Sequence, residues 1–275
     1  MPIRIVQSKQ NARVKDLRTA LQRPGKGSSA RADSVAIEGI HLLEEVILSG
    51  VAIETVFVAQ GHESLLDELG LPDSADVLAL PADLLASAVT TEAPQPVAAL
   101  VRPRDWGWDD LIGKEKKQER QLILVLAGIQ DPGNLGTILR SAEAFAATGV
   151  VCLPGTVSRW NPKALRASAG SAFRMPLVAA SSGECFAEFK RAEISTLAAM
   201  PHEARPLGEH DLAGPVALFL GSEGTGLPDD IAARCDARIT IPCPGPVESL
   251  NAAVAGSILL YEAARQRQSS SAGGS

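Results

Sequence analysis

Two spacings of apolar residues alternate along the chain and lay out its architecture before any motif is considered. In the first hundred residues, apolar runs of strand length (SVAIEG, ETVFVAQ, DVLAL, PVAALVRP) are separated by segments of helical spacing (IHLLEEVILSG, ESLLDELG, PADLLASAVT). Strand and helix in regular succession predict a small α/β domain over residues 1–103. The pattern then lapses, and RDWGWDDLIGKEKKQERQ reads as a linker over 104–121. A second alternation starts with LILVLA at 122–127, apolar at every position as in a strand buried on both faces. It continues with a helix over 135–147, the strand GVVCLP, a helix near 161–170, MPLVAA, a helix over 184–192, ISTLAAM, PVALFLG, a short helix at 228–235, ARITIP and a last helix from about 249 to 267. This predicts a parallel-sheet domain over 122–268, and such sheets hold ligands in the loops leaving the carboxyl ends of their strands. The tail, 269–275, is polar and predicted to be disordered.

Composition agrees with two domains: 275 residues, 45% of them apolar, exceed one small core. The chain has neither the roughly 18 consecutive apolar residues of a membrane span nor the apolar core of a signal peptide, so a cytoplasmic location is expected. Cys152, Cys185, Cys235 and Cys243 form no C-x-x-C pair and keep no regular spacing with the four histidines. Neither a metal site nor a disulfide framework is indicated, and reduced, mostly buried thiols are expected. A net charge of −6 argues against a nucleic-acid partner until its distribution is considered. Residues 1–31 carry a local balance of +7, leaving −13 for the rest, and no acid occurs from Ala144 to Gly183, where Arg159, Lys163, Arg166 and Arg174 stand. These segments are either a solvated basic arm and an ordinary helix face, or local phosphate-binding surface. Trp106 and Trp108 in the linker would either stack on a base or, as is commoner at a domain junction, pin the linker to a core.

Three loops carry candidate chemistry. In GIQDPGNLG, Asn134 is placed as an N-cap. On the following helix Leu135, Ile138, Leu139, Ala142 and Phe145 form the apolar stripe and Arg140 falls off it, its flank opened by Gly136. Arg140 is either a working residue or a solvated arginine beside Glu143 at i+3. In SEGTGLPDD, after PVALFLG, the glycines Gly221, Gly224 and Gly226 allow close backbone approach to a ligand. Their G-x-x-G-x-G spacing is neither the dinucleotide fingerprint nor a Walker loop, which disfavours a nucleotide-dependent oxidoreductase. Glu223 among them suits a polar or cationic ligand over a phosphate. In IPCPGPVESLN three prolines stiffen the loop, Ser249 is placed as an N-cap, and Asn251 opens a run of small residues against which another subunit can pack.

Together NLGTILRSAEAF, FLGSEGTGL and IPCPGPVESLNAAVA, in that order, resemble the three motifs of the SpoU/TrmH family of RNA ribose 2′-O-methyltransferases. NPKALRASAGSAFRMPL resembles the family's connecting segment. IVQSKQNARVKDLR, VAIEGIHLLEEVILSG and TEAPQPVAALVR resemble the L30e-like substrate-binding domain of many members, with RPGKGSSARAD where a basic cluster is usual. The resemblance implies an α/β fold with a C-terminal SPOUT domain tied in a trefoil knot, S-adenosylmethionine as methyl donor, an RNA substrate and a homodimer. Position by position it implies catalytic roles for Arg140, Asn134, Glu223, Ser249 and Asn251 and donor contacts at Gly221, Ile241 and Leu250, to which Leu220 and Gly224 of the second motif are added; the charge distribution makes Lys163, Arg166, Arg13 and Lys15 the candidate RNA contacts. The L30e-like domain favours ribosomal over transfer RNA. A guanidinium, with a pKa above about 12, is a poor proton acceptor. Arg140 is therefore expected to grip a phosphate and stabilise charge on the 2′-oxygen, with Asn134, Ser249 and Glu223 orienting it. A non-catalytic RNA-binding protein on the same scaffold is the alternative, and fold does not decide between the two.

Overall fold

The computed structural model describes residues 2–22, 34–89, 91, 93–113, 121–247 and 249–272, the last three as backbone alone. Its first elements are β1 (Ile3–Ile5), α1 (Ala12–Gln22), β2 (Val35–Glu38), α2 (Ile40–Leu48), β3 (Ala52–Ala59), β4 (Asp76–Leu80), α3 (Ala82–Ala86) and β5 (Val97–Arg102). There follow α4 (Trp108–Ile112), β6 (Leu122–Ala127), α5 (Pro132–Ala144), β7 (Gly149–Cys152), α6 (Pro162–Ser168), α7 (Ser171–Arg174), β8 (Leu177–Ala179) and α8 (Ser182–Arg191). The chain ends with β9 (Ser195–Ala199), β10 (Arg205–Pro206), β11 (Val216–Gly221), α9 (Asp229–Ala232), β12 (Ala237–Thr240) and α10 (Ala252–Ala272). Two compact units result: residues 1–105 with 158–173, and residues 106–157 with 174–275.

The first unit is a five-stranded mixed sheet in the order β1-β4-β3-β5-β2. Alternation decides what each face buries: Ala36, Phe57, Ala59, Leu78, Leu80, Ala98 and Leu100 meet Val14, Leu17 and Leu21 of α1 and Leu84 and Leu85 of α3. The intervening Ile37, Val56, Val58, Val77 and Val97 are buried as well, so both faces are covered. The N-terminal basic segment is thus no free arm where it is described. Residues Ile3 to Ile5 pair in parallel with β4, and α1 is docked by three buried side chains, leaving Arg13 half-buried and Lys15 exposed. The basic residues Arg23, Lys26 and Arg31, and RPGKGSSARAD as a whole, lie outside the described residues. Buried Glu38 is satisfied by the Thr91 hydroxyl at 2.5 Å and the Gln95 N–H at 3.0 Å, which ties the 91–95 loop to β2. The segment 158–173, from the middle of the second alternation, groups with this unit, and α6 packs against β2.

The second unit is a seven-stranded, wholly parallel sheet in the order β10-β12-β9-β11-β6-β7-β8. β6 and β11 pair over their whole length, Leu122 with Val216 through Ala127 with Gly221, so the first two motif loops leave the sheet side by side. Trp108 meets Phe189 edge to face at 5.8 Å, pinning α4 to the core as expected of a junction tryptophan. The helices differ from the sequence reading at their ends. α5 starts at Pro132 instead of 135, α10 starts at Ala252 instead of 249, and α10 runs through Ala272, into the tail expected to be disordered. α10 is fastened to the sheet by Arg267, which donates to the carbonyls of Leu212 at 3.0 Å, Gln121 at 3.0 Å and Gly214 at 2.6 Å.

Candidate active site

At the end of β6, Gly128 takes φ +72° and donates to the Thr156 hydroxyl at 3.2 Å, which donates to the Leu126 carbonyl at 3.0 Å. The loop is thereby anchored to the segment after β7. The N-cap of α5 is Asp131, whose carboxylate accepts from the Asn134 N–H at 2.9 Å, with Pro132 in the first turn. The assignment of Asn134 as cap is corrected: both residue types cap helices, but an Asp followed by Pro was the stronger signal. Freed from capping, the Asn134 amide donates to Glu223 Oε1.

The second loop folds back on itself. Ser222 and Gly226 form an antiparallel bridge, the Gly226 N–H donating to the Ser222 carbonyl at 2.9 Å, and the Ser222 and Thr225 hydroxyls lie 2.9 Å apart. A Cβ on Gly221 would fall 2.0–2.2 Å from Gly226 and Leu227 backbone atoms, so this glycine makes room for its own loop before any ligand. A Cβ would meet no heavy atom within 4 Å on either Gly224 or Gly226, but Gly226 also needs its freedom for φ +68°. Gly224 and Gly226 both leave open space of the kind expected of all three, and Gly221 does not.

In the third loop Asn251 Oδ1 accepts the N–H groups of Ala253 at 2.9 Å and Val254 at 3.3 Å, the bonding of an N-cap. Ser249 is exposed two positions earlier, and its expected capping role passes to Asn251. The Asn251 amide donates to Asn134 Oδ1 at 3.1 Å and to Glu223 Oε1 at 3.3 Å, and the Ala252 N–H reaches Glu223 Oε1 at 3.3 Å. One carboxylate oxygen of the second loop thus gathers donors from the first and third loops at the start of a 21-residue helix, where the helix dipole favours negative charge. Part of the run of small residues after Asn251 packs against this chain itself. Ala252, Ala253 and Gly256 are buried, and a Cβ on Gly256 would lie 3.2 Å from Leu220 and 3.5 Å from Ile138 of the same chain.

Of the residues expected in the site, Asn134, Glu223 and Asn251 come together by direct bonds. Leu220 is buried, Ile241 and Leu250 are half-buried, and Gly224 is exposed. Arg140 does not join the cluster. It stands six residues beyond Asn134 on α5, about 9 Å along the axis and about 120° around it, exposed and with no hydrogen bond or ion pair among the described residues. Orientation of Arg140 by Asn134, Ser249 and Glu223 is therefore corrected. Gly136, read as opening its flank, is buried. Lys163 and Arg166 on α6 and Arg13 and Lys15 on α1 fall in the other unit, on two helices that both pack against β2. Arg174, counted with the acid-free segment, is paired with Glu143.

The thiols divide by burial. Cys185 is buried and Cys235 half-buried, and burial pushes both up to about 12, with Glu184 and Asp236 adding to it. Cys152 is half-buried and Cys243, in the third loop, is exposed, so Cys185 alone of the four is fully buried where mostly buried thiols were expected.

Comparison with known proteins bears on this geometry. The model of the SpoU rRNA Methylase family matches residues 121–261, and that of the MRM3-like substrate binding domain residues 11–99. A 23S rRNA (guanosine(2553)-2′-O)-methyltransferase, RlmP of Bacillus subtilis, is 29% identical over 93% of this chain and 97% of its own. An uncharacterised tRNA/rRNA methyltransferase of Synechocystis is 33% identical over 98% and 96%. The crystal structure of the SpoU methyltransferase AviRb from Streptomyces viridochromogenes, in complex with AdoMet, superposes with a TM-score of 0.83 at 29% identity, covering 94% of this chain and 99% of that one.

Proposed function

The chain belongs to the SpoU rRNA methylase family, and we propose that it methylates a ribose 2′-hydroxyl of ribosomal RNA through Arg140 and the cluster of Asn134, Glu223 and Asn251. It is an S-adenosylmethionine-dependent RNA 2′-O-methyltransferase. The choice of ribosomal RNA follows the relatives that act on it. The observation that carries the residue assignment is the meeting of three loops on one Glu223 oxygen.

The loops fit the donor. Gly224 leaves open space beside an anionic Glu223, and the half-buried Ile241 and Leu250 offer apolar contact for an adenosine. Leu220, Gly221, Gly224, Ile241 and Leu250 would hold it. When bound, S-adenosylmethionine supplies a sulfonium methyl open to in-line attack. Asn251 holds the start of α10 and Asn134 the start of α5 against Glu223, which fixes the loops and lowers the cost of ordering them at binding. Arg140 grips a neighbouring phosphate and stabilises negative charge growing on the 2′-oxygen as the hydroxyl proton passes to solvent water. Ser249, exposed two positions before Asn251, serves the ribose or the donor rather than the helix.

Residues 1–103 present the RNA through Arg13, Lys15, Lys163 and Arg166, the last two joining this unit through α6. Residues 122–268, with the knot the family implies, carry out transfer, and 104–121 connects the two. The protein acts as a homodimer. An apolar groove lined by Phe145, Val254, Ile258 and Tyr261 runs between α5 and α10, with Val254 48% and Tyr261 54% exposed, large apolar side chains suited to a second copy. No helix among the described residues is long and apolar enough to cross a membrane, and a cytoplasmic site of action fits a ribosomal substrate.

The reading is tested by mapping ribose methylation in total RNA from cells with and without the gene. Loss of one 2′-O-methyl nucleotide in ribosomal RNA is expected; loss confined to transfer RNA would overturn the substrate, and no change at all would overturn the activity.

A further inference from the structure

We propose that Arg174 is a positioning residue for methyl transfer: by holding the Glu143 carboxylate it keeps the Arg140 guanidinium open to the RNA. The inference rests on the reading of Arg140 as the residue that meets the substrate.

Arg140 and Glu143 stand at i and i+3 on α5, the spacing at which side chains on one helix surface meet. Glu143 is the sole acid within that helix. Left to themselves the two would pair, and a carboxylate would sit on the guanidinium that must receive a phosphate or a developing oxyanion. The structure shows another arrangement. Arg174 Nε lies 2.5 Å from Glu143 Oε1 and Arg174 Nη2 lies 3.1 Å from Oε2, a two-point fork. Each side chain is 33% exposed, whereas Arg140 is exposed and has no partner among the described residues.

The energetic preference is clear from the geometry. A forked guanidinium–carboxylate pair, partly shielded from water, is stronger than a single contact between exposed neighbours on a helix. Glu143 is thus engaged by Arg174 and neutralised in place, and the field around Arg140 stays positive. The same pairing commits Arg174 within the protein, so this cation of the acid-free segment serves the site indirectly rather than as RNA-binding surface.

Single-turnover methyl transfer to ribosomal RNA, with donor affinity by calorimetry and thermal midpoints, decides the matter across Arg174→Gln, Arg174→Lys, Glu143→Gln and the double variant Arg174→Gln/Glu143→Gln. Arg174→Gln should be slowed about threefold to tenfold with donor affinity unchanged, since it releases one charge beside Arg140. Arg174→Lys, which keeps the charge but not the fork, Glu143→Gln and the double variant should all stay within about twofold of wild type. Wild-type rate in Arg174→Gln would overturn the proposal. So would a double variant or Arg174→Lys as slow as Arg174→Gln, because Arg174 would then act through packing. Arg140→Ala separates the two levels: full activity there removes the reading of Arg140 itself, whereas a slow Arg140→Ala beside unaffected Arg174 variants removes only this proposal.

Discussion

Asn134 and Asn251, 117 positions apart, are joined by a hydrogen bond of 3.1 Å, and both amides donate to the same oxygen of Glu223. Two helix starts and a glycine-rich turn are held in register by one carboxylate.

Replacing Glu223 by Ala leaves three donors without their acceptor. The expected cost is about 1–2 kcal/mol, seen as a fall of a few degrees in the thermal midpoint, with donor affinity lowered about tenfold or more. Glu223→Gln keeps an acceptor oxygen and should lose less stability. Calorimetry with and without S-adenosylmethionine measures both quantities, and equal donor affinity in all three proteins would remove Glu223 from the site.

Gly221 and Gly224, three residues apart, should respond in opposite ways. A methyl group at Gly221 meets backbone at 2.0–2.2 Å, which cannot move without opening the Ser222–Gly226 turn. Gly221→Ala should cost about 3 kcal/mol or more and abolish donor binding, while Gly224→Ala should change stability by no more than about 0.5 kcal/mol. Denaturant melts of the two variants provide the comparison.

The caps make a third test. Asp131→Ala removes the acceptor of the Asn134 N–H and should destabilise by about 1 kcal/mol, whereas Ser249→Ala should leave the melt unchanged and act on turnover alone. A destabilised Ser249→Ala would restore its reading as a helix cap.

How much of this was legible in the sequence follows from distance along the chain. β6 and β11 could be read because LILVLA and VALFLG are apolar at every position, as a strand with both faces covered must be. The three loops could be found because glycine, proline and capping residues cluster there. What each residue does in them was less readable. Asp131 and Asn134 are both cap types, and only the folded chain decides which one caps. The contacts of Glu223 reach residues 89 and 28 positions away, and the fork between Arg174 and Glu143 spans 31, separations at which periodicity carries no information. The basic arm was misread because Val14, Leu17 and Leu21, spaced for one helix face, were outweighed by the charges between them.

Thiol reactivity follows from burial. With Cys185 and Cys235 pushed up to about 12, only about one thiol in ten thousand is ionised at pH 8, so neither should react with iodoacetamide over minutes. Exposed Cys243 should be modified first, and S-adenosylmethionine should slow it because Ile241 and Leu250 flank the same loop. Peptide mass spectrometry reads the order, and labelling of Cys235 at the rate of Cys243 would contradict it.

The assignment of catalysis to Arg140 is tested most directly by single-turnover transfer of a labelled methyl group from S-adenosylmethionine to ribosomal RNA, comparing wild type with Arg140→Ala. Wild type should yield label in alkali-resistant dinucleotides, the mark of a 2′-O-methyl ribose. Arg140→Ala should bind the donor within about threefold of wild type and transfer at least about a hundredfold more slowly. Transfer by Arg140→Ala within a few-fold of the wild-type rate would contradict the assignment.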